Sequence, residues 1–304
     1  MEFGLEHREL CLLQRGKTPL FFDSQGNPLQ KQASCIKPLD TPISKGIFEH
    51  FMLKEIYEQE EVLTKVLQNR YNEAEKTTLF PEIRLSPEEL SSLQHVIFLG
   101  CGSSFHAASM ASYLFEEVAQ IATRVEIASE YRYKKPILFP NTLVIALSQS
   151  GETADTIAAM RELKKQKAHV LTLCNVPNST LAREADSVIF LRAGPEVAVA
   201  STKTLTAQLT TLVLLTIFLG RYKSLPAKQA EEIYRDLCRL PQKVGAILDD
   251  HRSIQKLSIR YAKYHDFYFL GRGILYPTAL EAALKLKEIA YCNAVGYPAG
   301  EMKH

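Results

Sequence analysis

The spacing of apolar and polar residues changes several times along the chain, and each change predicts a new element. From Gly46, "GIFEHFMLKEIYEQEEVLTKVLQNRY" places apolar residues at helical intervals with Glu and Lys as neighbours, which predicts one long helix. "LSPEELSSL" predicts a helix start, with Ser86 as cap, Pro87 as first helical residue and Glu89 at the capping-box position. Short apolar runs then alternate with helical patterns. "HVIFLGCGSSFHAASMASYLFEEVA" reads as strand, Gly-rich turn and small-residue helix, and "LVIALSQSGETADTIAAMRELKKQ" repeats that order. "HVLTLCNVPNSTLAREAD" and "SVIFL" extend it. Strand and helix alternating at this spacing predict an α/β fold of right-handed βαβ units, its parallel sheet covered by helices on both faces. "LTTLVLLTIFLG" is too short and too Thr-rich to span a bilayer and reads as a buried helix. Residues 225 to 265 read as a mostly helical connector, and "PLFFDSQGNPL" near the start reads as a hairpin.

One pattern occurs twice. "VIFLGCGSSFHAASMASYLFEEVA" overlays "FYFLGRGILYPTALEAALKLKEIA" at a constant offset of 171 residues, with Gly100 on Gly271, Gly102 on Gly273 and Glu117 on Glu288. At the same offset "ASEYR" falls on "AGEMK". A register held across nearly forty positions implies two copies of one α/β unit. The second copy reaches His304 without a counterpart of "SQSGETADT", so it is expected to be incomplete.

The carboxyl ends of parallel strands are where open α/β sheets bind ligands. At "LSQSGETADT" that end offers the hydroxyls of Ser148 and Ser150, the Gln149 amide, N–H groups freed by Gly151, and Thr153 in the following first turn. Uncharged donors beside a positive helix end fit an anion, most simply a phosphate, whereas ordinary capping needs only one of them. The turn "GCGSS" at the preceding strand tip, with Gly102, Ser103 and Ser104, is placed to line the same pocket. Its resemblance to a dinucleotide fingerprint is spoiled by Phe105 at the third small position, which leaves a nicotinamide-dependent enzyme as an alternative. In "VAVASTKT", Ser201, Thr202 and Lys203 offer further sugar or phosphate contacts, although capping explains them nearly as well. On "TALEAALKLKEIA", Glu281, Lys285 and Glu288 fall within about 60° of one another on a helical wheel. That stripe suits proton transfer, but on spacing alone an exposed ion ladder is the favoured reading.

Composition narrows the classes. The 304 residues carry a net charge of +2 with acids and bases intermixed, so no basic stripe for nucleic acid is present. The six cysteines stand far apart with no zinc spacing, which reads as buried thiols in a reducing compartment. No apolar signal core follows Met1, and a cytoplasmic protein is expected.

"LGCGSS…SQSGETADT" paired with "LGRG…YPTALEAALKLKEIAY…YPAGEMKH" resembles the double sugar-isomerase (SIS) unit. More narrowly it resembles the isomerase part of the glutamine–fructose-6-phosphate aminotransferase family, as do "KGIFEHFMLKEIYEQ", "VASTKT" and "LCNVPNSTLAREAD". The resemblance implies doubly wound three-layer αβα units, the first over residues 96–224 and the start of a second over 266–304, with a helical lead-in at 41–95 and a connector at 225–265. Residues 1–40 resemble the last strands of a preceding glutaminase domain, so a piece of a longer enzyme is expected, one that does not itself use glutamine and is incomplete for activity. The resemblance implies hexose-phosphate binding by Gly102, Ser103, Ser104, Ser148, Gln149, Ser150 and Thr153, joined by Val199, Ala200, Ser201 and Lys203. It implies that Glu288 is the base moving a proton between C1 and C2, that Lys285 and Glu281 support it, and that His304 assists ring opening in a neighbouring subunit of a homodimer. The implied reaction converts fructose 6-phosphate and ammonia to glucosamine 6-phosphate, with no metal or organic cofactor and no membrane or nucleic-acid partner. A non-catalytic phosphosugar-binding module is the alternative.

Overall fold

A computed structural model of the chain describes residues 3–5, 8–33 and 43–304. It contains two units, one ending at Ser44 and one running from Lys45 to His304. Cys35 and the boundary expected at residue 40 lie outside the described residues.

The first unit holds an antiparallel sheet of β1 (Leu10–Leu12), β2 (Leu20–Phe22) and β3 (Pro28–Leu29). The expected hairpin is β2–β3. Its turn is set by the Asp23 carboxylate, which accepts the N–H groups of Gln25 and Asn27 at 2.8 and 2.9 Å.

The second unit opens with α1 (Phe51–Tyr57) and α2 (Gln59–Leu67). The single helix expected from Gly46 is therefore two, and Tyr71 belongs to β4 (Tyr71–Asn72), paired antiparallel with β5 (Thr77–Thr78). The break falls at Glu58, which bonds Lys54 at 2.9 Å and the distant Lys203 at 2.6 Å. Helix α3 (Pro87–Ser92) carries the full capping box, with Ser86 Oγ accepting from the Glu89 N–H and the Glu89 carboxylate accepting from the Ser86 N–H.

The alternation then follows as β6 (His95–Gly100), α4 (Ser103–Glu117), β7 (Ala122–Ile127), α5 (Ala128–Tyr131), β8 (Thr142–Ser148), α6 (Ala154–Lys165), β9 (His169–Cys174), α7 (Thr180–Glu184) and β10 (Ser187–Phe190). The five strands are parallel in the order β10-β9-β8-β6-β7. Successive residues point to opposite faces, and the core divides accordingly. Val96, Phe98, Leu143, Ile145, Leu147 and Leu171 pack with α2, α4 and the 19-residue α8 (Lys203–Arg221). Ile97, Leu99, Val144, Ala146 and Val170 pack with α5, α6 and α7. This is the expected three-layer αβα arrangement. By length and composition α8 is apolar enough to cross a membrane, but 72% of its apolar window is buried within the fold, as befits a core helix.

After α8 the connector consists of α9 (Ala227–Cys238), α10 (Leu240–Asp249) and α11 (His251–Tyr261). The chain continues with β11 (Asp266–Gly271), α12 (Leu275–Ala290), β12 (Asn293–Pro298) and a 3-10 turn at Ala299–Glu301. Both strands and the turn begin 171 residues after β6, β7 and α5. The pairing repeats as well, with His95 opposite Ala122 and Asp266 opposite Asn293. Gly102 and Gly273 both take positive φ, 53° and 57°. Of the described cysteines only Cys174 is buried; Cys11, Cys101 and Cys292 are half-buried and Cys238 is exposed, which corrects the expectation of buried thiols.

Candidate functional site

The strand order reverses between β6 and β8, because β7 lies on one side of β6 and β8, β9 and β10 on the other. Ligands of open α/β sheets bind at the carboxyl ends of strands at such a switch. The two loops that leave those ends are the ones singled out by sequence, residues 100–104 and 148–153.

The second loop is built around Ser148, which is buried at the tip of β8. Its hydroxyl bonds Thr153 Oγ1 at 2.9 Å and accepts the Gly151 N–H at 3.0 Å. Gly151 takes φ 67°, and a Cβ there would run into Ser179 Oγ, so only glycine fits this turn. Ser150 Oγ accepts the Glu152 N–H at 3.1 Å. Thr153 is the N-cap of α6 rather than a residue of its first turn, and it makes no side-chain cap bond. The first amides of α6 thus stand at the mouth of the loop without a capping side chain, the arrangement that suits an anion. Asn175 fastens this loop to its neighbour: its N–H donates to Gln149 O at 3.1 Å, while its side chain bonds Gly194 O and the Ala193 N–H.

The first loop ends in Gly102, the N-cap of α4, also without a side-chain cap. Ser104 is buried and accepts from Gln208 Nε2 of α8 at 3.0 Å. Ser103 turns toward α12 instead. Its hydroxyl donates to Glu281 Oε1 at 2.8 Å and accepts from Lys285 Nζ at 3.1 Å.

Residues 199–203 are engaged within the fold to different degrees. Lys203 has a side chain only 4% exposed, and its ammonium pairs with Glu58 of the lead-in at 2.6 Å. Burial alone would raise the Glu58 carboxyl, but its bonds to Lys203 and Lys54 outweigh that and hold it below the usual range. A lysine engaged in this way braces the loop against the lead-in. Ser201 Oγ donates to Glu196 at 3.0 Å, Ala200 is buried, and Val199 is exposed. The loop is held further by buried Glu55, whose Oε1 accepts the N–H groups of Val197 and Ala198 at 2.6 and 3.2 Å.

Glu281, Lys285 and Glu288 do share one face of α12, and they form no exposed ladder. Glu281 is buried, and Lys285 Nζ lies 3.3 Å from Glu281 Oε1 and 2.8 Å from Glu288 Oε2. The other Glu281 oxygen meets His106 Nδ1 at 2.7 Å. Burial pushes the Glu281 carboxyl up, but the His106 bond, the Lys285 charge and the Ser103 hydroxyl together hold it below the usual carboxylate range. The cluster therefore ties α4 of the first copy to α12 of the second. His304 is exposed at the last residue, and among the described residues its side chain takes no part in these bonds. Sequence reasoning passed over His106, Glu55, Glu58 and Asn175. Only His106 left a trace, since it lies one helical turn from Ser103 and so shares its face.

Polar loops at a switch point and a unit doubled at fixed register accord with the family comparison: the SIS domain matches residues 89–218 and 260–304, and the chain belongs to that family. More narrowly, it groups with the glutamine–fructose-6-phosphate aminotransferases. It is 43% identical over 303 residues to the enzyme so named from Shewanella oneidensis, covering 99% of this chain and 49% of that protein. With the Methanosarcina acetivorans protein of the same name it is 42% identical over 284 residues, covering 93% and 46%. The C-terminal domain of glucosamine-fructose-6-phosphate aminotransferase from Francisella tularensis superposes with a TM-score of 0.82 and 38% identity, over 86% of this chain and 73% of that one. The chain spans about half the length of the curated relatives it matches.

Proposed function

We propose that this chain binds a hexose 6-phosphate and carries the isomerase chemistry by which its relatives, named as glutamine–fructose-6-phosphate aminotransferases, form an amino sugar phosphate. The phosphate sits at Ser148, Gln149, Ser150 and Thr153, held by hydroxyls, freed amides and the positive end of α6. Ser104 and Gly102 border the same crevice from β6. The sugar then extends toward α12, where Glu288 removes a proton from C1 and returns it to C2, passing through an enediol-like intermediate. The Lys285 ammonium, 2.8 Å from Glu288 and braced by Glu281, keeps the base oriented and opposes negative charge developing on the sugar oxygens. In the longer enzyme, ammonia released from glutamine supplies the nitrogen. A homodimer in the cytoplasm, with His304 serving the neighbouring site, fits the family resemblance.

The observation that carries this reading is the Glu281–Lys285 pair, its carboxylate buried, bonded to Ser103, because acid–base groups then stand beside the first loop rather than on a solvated helix face. Titration calorimetry with fructose 6-phosphate, fructose and inorganic phosphate tests it. Binding of the sugar phosphate that falls at least tenfold in Ser150→Ala, with little binding of fructose, is expected. Equal binding of fructose and its 6-phosphate, or an unchanged Ser150→Ala variant, contradicts the phosphate assignment.

A further inference from the structure

The side chain that completes the α12 cluster comes from the other copy of the repeat. Glu281 is buried and has two oxygens to satisfy; a buried carboxylate oxygen left without a donor is costly. Oε1 receives Ser103 and Lys285, and Oε2 receives His106 Nδ1 at 2.7 Å. A carboxylate can only accept, so Nδ1 carries the imidazole proton in this contact. Lys285 has three donors and three acceptors within reach, namely Glu281, Ser103 and Glu288. The ammonium is therefore aimed by its surroundings, and its aim depends on where the Glu281 carboxylate is held.

We propose that His106 is a positioning residue for proton transfer: its Nδ1–H anchors Glu281, which fixes Lys285 and through it the Glu288 carboxylate. This rests on the isomerase reading of Glu288. With His106 replaced by an apolar side chain, Oε2 is buried with no donor, and the carboxylate turns to draw Lys285 away from Ser103 and Glu288. The phosphate loop of Ser148 and Ser150 shares no hydrogen bond with His106, so the phosphate contacts that dominate affinity are kept.

His106→Leu removes the donor and keeps the site filled, whereas His106→Asn supplies an amide N–H in place of Nδ1–H. Isomerisation of fructose 6-phosphate by the full chain and both variants is followed together with the 15Nζ resonance of Lys285. In His106→Leu, kcat is expected to fall about 10- to 100-fold, the scale of loss from small misplacement of a reacting group, with KM within twofold. His106→Asn recovers most of kcat. The slowly exchanging ammonium signal of Lys285 persists in the parent and in His106→Asn and is lost in His106→Leu. A Lys285 signal unchanged in His106→Leu, or a rise in KM with kcat preserved, overturns the proposal. A parent chain that does not isomerise the sugar sinks the isomerase reading alone, and the Lys285 resonance then decides the positioning role by itself.

Discussion

Single side chains in this protein answer to partners far away in sequence. Lys203 sits in a polar run that looks made for phosphate, yet its partner Glu58 lies 145 residues upstream on the lead-in. Replacing Glu58 by Gln leaves a buried ammonium unpaired and is expected to cost about 3–5 kcal/mol in urea unfolding. Replacing both with apolar residues of similar size, as in Glu58→Leu with Lys203→Met, is expected to recover most of that loss. A Glu58→Gln variant as stable as the parent would mean that the pair does not hold the loop. Gly151 makes the complementary case. Gly151→Ala combines a positive φ with a collision at Ser179, and an unfolding cost of about 2 kcal/mol or more is expected, with weakened sugar phosphate binding. These two positions also mark what sequence could and could not disclose. A glycine after polar residues at a strand tip announces its turn, whereas the fate of a lysine depends on which distant carboxylate the fold brings to it.

Secondary elements were legible wherever local chemistry decided them. The α3 capping box, the β2–β3 hairpin and the largely apolar central strands form as the sequence predicts. The repeat offset carried further still, since β11 and β12 begin 171 residues after β6 and β7. The lead-in was misread as one helix because periodicity continues through Glu58 while the break there comes with tertiary contacts, to Lys203 from Glu58 and to Thr206 from Gln59. Ser86→Ala removes one cap bond and should lower stability by about 1 kcal/mol without altering ligand affinity, because α3 leads into the amino end of β6, opposite the carboxyl ends proposed to bind. Helix α12 is the opposite case. Spacing alone favours an exposed ladder for its charged stripe, which the burial of Glu281 overturns, since a partly buried cluster and an exposed ladder share the same i, i+4 pattern.

Across the whole molecule, the response to acid follows from carboxylates held ionised in the fold. Glu281 and Glu58 both sit below their ordinary range, so the folded state binds their protons less readily than the unfolded chain does. The stability they contribute is complete above the ordinary carboxylate range, about pH 4.5, and is lost as pH falls through their lower folded values. The unfolding midpoint should therefore decline on acidification below that range, and Glu281→Gln should shallow the decline while lowering stability at neutral pH. An identical acid limb in parent and variant would remove Glu281 from this account. The same carboxylate joins the two copies of the repeat, which makes the cluster both a structural tie and the proposed seat of chemistry. The most direct measurement is proton NMR of fructose 6-phosphate incubated with the full chain in deuterated water. Solvent deuterium appearing at C1 of the sugar, with Glu288→Gln slower by about 100-fold or more, is the expected result. No deuterium uptake by the parent, or uptake at the parent rate in Glu288→Gln, would contradict the assignment of proton transfer to α12.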